Sequence, residues 1–499
     1  MDIEDIKSPL PSREIEINSS VDFEEPIEPK IIENKNAPSG PETPIIVKNK
    51  IDWKKILIIT GILIGILILV LVITSAIKNS KKDTIVTLNY WSLWEDESVM
   101  NSVIADFESK NPKIKINYKR NQITDYRTRL IGRLAKSGSD ETEGVDIFRI
   151  HNTWIPMFRE YLASVPMENV KSIGLNDDFL GVYNNDLKEN GNWLSVPLMY
   201  DGLALFYNKD LLEAAKIEVP KNWWEIRSAA LKLTVKDENG KIKTAGVALG
   251  LANSNVDNWS DIVGLMMKQN GIDLSKSNTN TDKNLEDVLK FYASFANGKE
   301  NVWDESLPNS TTLFANGKLA FYFGPSWRVF DIEQLNKNLK YGITTVPQLP
   351  TLGGINENND NTELTNIHWG SYWTEGVNSK SKYQKESWKF LEYLSSKEVL
   401  EKMYTAQSQI RNFGEIYPRK SMSDKLKDNQ KVWPFLSVAD KANSWYLASN
   451  TNDAGVNSEM QKYFGDAINA ISQSGDTSEI MTTLKTGINQ VQQKYSLKK

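Results

Sequence analysis

The chain has 499 residues, enough for two or three globular units, with an ordinary 40% hydrophobic residues and a formal net charge of −5. Residues 1–50 hold 11 acidic and 6 basic side chains, so the whole net charge resides in that tail; the remainder balances, and nothing marks a nucleic-acid surface. The absence of cysteine excludes a disulfide framework, a thiol nucleophile and a lipid-modified cysteine anchor.

The tail contains seven of the 18 prolines and no sustained helical or strand period. Such a segment cannot bury enough apolar surface to offset its ordering entropy, and residues 1–50 are expected to be disordered. Ile56 to Ile77 then runs for 22 residues without a charge. At about 1.5 Å per residue this reaches roughly 33 Å as a helix, enough to cross a hydrocarbon core of about 30 Å. A cleavable signal peptide is the rival, with Thr74-Ser75-Ala76 resembling a small-residue cleavage site. Its apolar region, however, usually spans about 7–15 residues behind a short basic start, whereas some fifty residues precede this one. The expectation is one uncleaved transmembrane helix at 54–78. A slight excess of lysines before it puts the tail in the cytoplasm.

Beyond Lys78–Asp83 the pattern alternates. Ile85 to Trp91 is rich in β-branched and aromatic residues, as in a strand. Val99, Val103, Ile104 and Phe107 share one helical face, which Asn111-Pro112 ends. Ile114, Ile116 and Tyr118 alternate as a second strand; Tyr126, Leu130, Ile131 and Leu134 mark a second helix; Val145–Ile150 reads as a third strand. This order predicts a parallel sheet with right-handed crossovers, with ligands outside the carboxyl ends of its strands. Those ends carry Trp91-Ser92-Leu93-Trp94-Glu95 and Arg149-Ile150-His151-Asn152-Thr153-Trp154.

Further along come Leu205-Phe206-Tyr207-Asn208-Lys209-Asp210, then Pro220, Trp223 and Glu225 at the head of a helix. Asn316-Gly317-Lys318-Leu319-Ala320 and Trp388-Lys389-Phe390…Leu394-Ser395-Ser396-Lys397-Glu398 follow. With Lys110-Asn111-Pro112, these five marks in this order closely resemble the extracellular solute-binding proteins of ABC importers, the large family that includes the maltose- and oligosaccharide-binding proteins. The resemblance spans about Ile85 to the C-terminus. Val219 and Asn222 depart from the family's usual proline and threonine. The missing lipid-anchor cysteine is answered by the expected membrane helix.

The resemblance implies an α/β, two-lobed periplasmic-binding-protein-like (type II) fold with discontinuous lobes, closing by a hinge around its ligand. Lobe one is expected at about 84–202 and 366–430, lobe two at about 203–365 and 431–499, with Asp201-Gly202 in the hinge, where glycine eases a backbone rotation. It also implies an ABC permease as partner, a cell-membrane location, and an orientation with the N-terminus inside and the lobes outside.

The fifteen tryptophans then acquire a chemical reading. A pyranose presents an apolar face of C–H groups that packs on an indole, and a rim of hydroxyls that needs planar hydrogen-bonding groups. Trp223 and Trp388 lie on helical stripes and read as core. Trp91, Trp94, Trp154, Trp259, Trp327, Trp373 and Trp445 stand in or beside polar loops and fit either a cleft or the scaffold. Trp327, in Gly324-Pro325-Ser326-Trp327-Arg328, matches the family position that stacks on ligand. Glu95, His151, Asp201 and Arg328 complete the candidate set as hydrogen-bonding groups. Neither histidine belongs to a His-Glu-x-x-His pattern, and no Gly-x-Ser-x-Gly elbow or phosphate loop occurs. The reading is a binding protein without catalytic residues, cofactor or metal. Its alternatives are a ligand-sensing membrane receptor built on the same domain, or a non-sugar solute.

Overall fold

The computed structural model describes residues 54, 57–58, 60–62 and 64–70, and then 85–136, 144–252, 255–274, 279–350, 363–473 and 477–497. The chain divides into two compact units, Met1–Lys81 and Lys82–Lys499. The expected disordered tail lies outside the described residues, as do positions 55–56, 59, 63 and 71–78 of the expected membrane helix. The described positions from 54 to 70 are helical, with their isoleucines and leucines exposed. Among the described residues no helix is long and apolar enough to cross a membrane.

The second unit is a two-lobed α/β fold. Its principal strands are β1 (Val86–Ser92), β2 (Ile114–Arg120), β3 (Ile147–His151), β4 (Ala204–Asn208), β5 (Val235–Lys236), β6 (Ile242–Val247), β7 (Leu319–Gly324), β8 (Tyr341–Thr344) and β9 (Trp373–Val377). The first lobe is built on the sheet β9-β3-β1-β2 and the second on β8-β4-β7-β6-β5. The trio β2-β1-β3 is parallel, as the strand–helix alternation predicts. The edge strand β9 arrives some 220 residues later and pairs antiparallel with β3. No local pattern announces it.

Local chemistry explains the helices. In Glu97–Lys110, Asp96 accepts from the Ser98 N–H at 2.9 Å at the head, and Asn111 donates to the Phe107 carbonyl at 2.8 Å at the end. Val99, Val103, Ile104 and Phe107 are buried between them. Tyr207-Asn208 closes β4, and the Asn208 side chain accepts from the Leu211 N–H and so opens and caps the helix Lys209–Ala215. Asn222 and Glu225 form a reciprocal cap on Trp223–Leu233, since Asn222 accepts from the Glu225 N–H and Glu225 accepts from the Lys221 N–H. Trp223 and Trp388 are both core residues.

Three chain segments run side by side between the sheets. Gly202 bridges Gly370, Ser371 N–H donates to the Asp201 carbonyl, and Gly370 N–H donates to the Asn443 carbonyl at 2.8 Å. Gly202 at this crossing also answers a steric demand. A Cβ there would lie 2.3 Å from the Trp369 carbonyl oxygen, so the close approach of two backbones demands glycine.

Candidate functional site

On the first lobe the strand-end loops put aromatics and charge together, mostly inside. Trp91 is buried on β1 beneath the Lys119 ammonium, 5.0 Å from its ring. Trp154 has no exposed surface and stacks on Phe158 at 5.8 Å. Both rings serve the scaffold and present no face to a solute. Glu95 is equally committed: its two oxygens take the Nη1 and Nη2 of Arg149 at 2.6 and 2.7 Å, and Ser92 donates to it. Arg149 also reaches Glu375 on β9 through Nε at 2.6 Å, and the Tyr90 hydroxyl donates to Glu375 at 3.1 Å. The triad is fully buried. Arg149 holds the Glu95 carboxyl below its usual range against the opposing effect of burial, whereas burial and the neighbouring Glu95 push Glu375 up to about 7. One cation thus serves two carboxyls, and Glu375 holds the proton more readily.

What this lobe leaves half-buried is Trp94 and Trp373, edge to face at 5.6 Å. Trp373 also abuts His151 at 5.2 Å. His151 bonds Thr153 through Nδ1 (2.8 Å) and Ser371 through Nε2 (3.1 Å), and burial lowers its pKa to about 3, so the imidazole is neutral.

The second lobe keeps an open polar space. A cavity of about 490 Å³ is lined by the segments Val256–Ser260 and Ser449–Asn452 together with Ser458 and Gln461. Trp259 supplies its indole at the head of the helix Trp259–Gln269. Ser260 beside it is fully buried, and its hydroxyl has no hydrogen-bond partner among the described residues. Asp257 is occupied from behind: it accepts from Asn309, from the Ser310 hydroxyl at 3.1 Å and from the Thr311 N–H at 3.1 Å, with Arg328 Nη2 at 3.6 Å. Asp261, pushed up to about 6 by burial, accepts from Trp369 Nε1 at 2.8 Å and from the hydroxyl and N–H of Ser449.

Asp201 lies at the crossing, where its carboxylate accepts from Gly202 N–H (2.7 Å) and from Ser326 N–H and hydroxyl (3.0 and 2.9 Å). Burial raises it to about 7. Trp327 is half-buried at the head of the helix Arg328–Leu335, with the Arg328 guanidinium over its ring at 4.3 Å. Arg328 is itself bonded to Asp331 through Nη1 at 2.8 Å, so one indole face is covered, while its Nε has no hydrogen-bond partner among the described residues. Neither residue lines the large cavity, although Asp257 links Arg328 to it. Trp445 packs on Tyr446 and Phe464 and lines a separate cavity of about 60 Å³.

Residues 91–401 match the family described as bacterial extracellular solute-binding protein. The chain belongs to that family. It is a solute-binding protein of ABC importers, and the members it matches are binding proteins rather than enzymes. The multiple sugar-binding protein of Streptococcus mutans is 24% identical over 364 residues, covering 70% of this chain and 81% of that one. The sugar-binding protein MalE from Xanthomonas citri superposes with a TM-score of 0.61 at 20% identity, over 82% of this chain and 98% of its own. A cyclo/maltodextrin-binding protein complexed with maltotetraose gives 0.61 at 16% identity, over 82% and 97%.

For a solute-binding protein, the residues missed from sequence matter as much as those found. Arg149, Glu375, Asp257, Ser260 and the loop 449–455 were not singled out. One signal was available: Asn450-Thr451-Asn452-Asp453-Ala454-Gly455 is an uninterrupted run of small and turn-forming residues, the composition of a functional loop.

Proposed function

We propose that this solute-binding protein captures a saccharide on the polar cavity of the second lobe and delivers it to an ABC permease. The observation that carries the reading is that one cavity is lined by Trp259 together with the hydroxyl and amide residues Ser449, Asn450, Thr451, Asn452, Ser458 and Gln461. An indole packs on the C–H face of a pyranose, and the hydroxyls and amides satisfy its rim. The named sugar ligands of relatives and fold neighbours support the same class. In this reading Trp94 and Trp373, half-buried and edge to face on the first lobe, are the aromatics that the first lobe has to offer the same solute. The lobes divide near 202, 366 and 430, and Ile56–Ile77 tethers them outside the membrane with the N-terminus in the cytoplasm.

A thermal-shift screen of the full chain in detergent tests the solute. A saccharide at a hundred times its dissociation constant stabilises the native state by about 2.7 kcal/mol and raises the unfolding midpoint. A shift with amino acids, peptides or polyamines and none with any saccharide overturns the sugar assignment. Accessibility of the lobes to protease added outside intact cells tests the orientation; protection until lysis overturns it.

A further inference from the structure

The segment Ser449–Gly455 touches both lobes. On the second-lobe side, Ser449 bonds Asp261, the Asn450 amide donates to Asn258 at 3.0 Å, and Ser449 to Asn452 line the cavity. On the first-lobe side, Arg127 Nη2 donates to the Ala454 carbonyl at 3.1 Å, and Asn457 Nδ2 donates to the Thr153 hydroxyl at 2.7 Å. Arg127 stands on the helix Tyr126–Lys136, whose Tyr126 hydroxyl is bonded to the Arg149 carbonyl of β3, so it moves with the first lobe. Its Nε has no hydrogen-bond partner among the described residues, which leaves the Ala454 carbonyl as the principal polar contact of its guanidinium.

The loop is also held in a backbone form its residues resist. Asn450, Asn452 and Ala454 have φ of 58°, 49° and 41°, the left-handed region. Asparagine tolerates it, but alanine has no side chain to compensate. The conformation persists because Asp453, fully buried, accepts from the N–H groups of Gly455, Asn457 and Ser458. The carbonyl of Ala454 is thereby turned toward Arg127.

We propose that Arg127 is a positioning residue for solute capture: it clasps the cavity-lining loop through the Ala454 carbonyl and so couples closure of the lobes to retention of the solute. The proposal rests on the saccharide reading only for the choice of probe. The clasp holds the loop to the first lobe before solute arrives, and a solute seated on Asn450 to Asn452 rigidifies the loop and tightens it. The Asn457–Thr153 bond is the second point of the clasp.

The test exploits a chain without cysteine. Lys171→Cys and Glu213→Cys, both exposed and on opposite lobes, carry spin labels in the full chain in detergent. Inter-lobe distances are measured with and without maltotriose as probe, beside stopped-flow rates and the unfolding midpoint. Arg127→Ala is expected to broaden the distance distribution toward larger separations and to raise the dissociation rate roughly tenfold, with the association rate and midpoint nearly unchanged. Arg127→Lys, which still reaches the carbonyl, restores both readouts in part. Unchanged distances in Arg127→Ala overturn the clasp, as does a midpoint that falls in step with the rate and is not rescued by lysine. If maltotriose does not bind, the distances in the solute-free protein still decide, so failure of the clasp and failure of the probe are separable.

Discussion

Glu95 and Asp453 are both buried carboxylates on loops, and the two are satisfied in different ways. Glu95 is paired with Arg149 from β3, and Arg149 in turn with Glu375 from β9, so three distant residues share one dry compartment. Asp453 is satisfied within five residues by backbone N–H groups and the Ser458 hydroxyl at 2.6 Å. The ion triad has lost its water and depends on its partners' geometry, and the loop residues Trp91 and Trp154 of the same lobe are core. Asp453 is as fully buried, but its donors all lie on the segment that immediately follows it. Its loop can turn the side chains of Asn450 and Asn452 toward a 490 Å³ cavity. A buried charge met by a distant partner closes a surface, whereas one met by its own loop leaves the surface free to bind.

Removing one partner from each carboxylate tests this contrast at its strongest. Arg149→Met leaves two buried carboxyls without a cation and is expected to cost about 3–5 kcal/mol in chemical denaturation. Adding Glu95→Gln and Glu375→Gln should recover much of the loss. Asp453→Ala should cost roughly 2–3 kcal/mol, because several buried N–H groups lose an acceptor, and no distant substitution should rescue it. Equal rescue in both cases would erase the distinction.

A smaller effect separates binding from packing. Trp259→Ala is expected to weaken solute affinity by about 2 kcal/mol, roughly thirtyfold by calorimetry. Trp154→Ala should instead lower stability while the folded fraction keeps wild-type affinity. An affinity loss in Trp154→Ala with none in Trp259→Ala would move the site to the first lobe.

The smallest effect concerns pH. Burial raises the folded pKa of Asp201 to about 7, above the ordinary carboxyl value of 3.8. Its contribution to stability is therefore complete below about pH 4 and is lost as pH rises through 7. Asp201→Asn, uncharged throughout, should gain stability relative to the native chain as pH rises from 5 to 8. Urea midpoints measured across that range check it, and a pH-independent difference would contradict the burial of this carboxyl.

Much of the fold was legible because its signals are local. The helix face Val99–Phe107, the parallel trio β2-β1-β3 and the caps at Asn208 and Asn222 follow from periodicity and from side chains that reach only a few residues away. The family resemblance rested on five such local marks, and residues 91–401 match that family. Candidate site residues were less legible, since a tryptophan beside polar groups reads alike in a cleft and in a core. Trp154 and Trp259 share that sequence context; one has no exposed surface and the other lines a cavity.

By itself, then, the sequence determined the alternation of elements and the family, because each depends on residue type at short spacing. Tertiary structure alone decided which aromatics remain accessible, which carboxylates are neutralised and why Gly202 is glycine. Those outcomes depend on partners 54 to 226 residues away, as from Arg149 to Glu95 and Glu375, and on how closely two backbones approach. Contact across such separations is a property of packing, and no window along the chain contains both members of the pair.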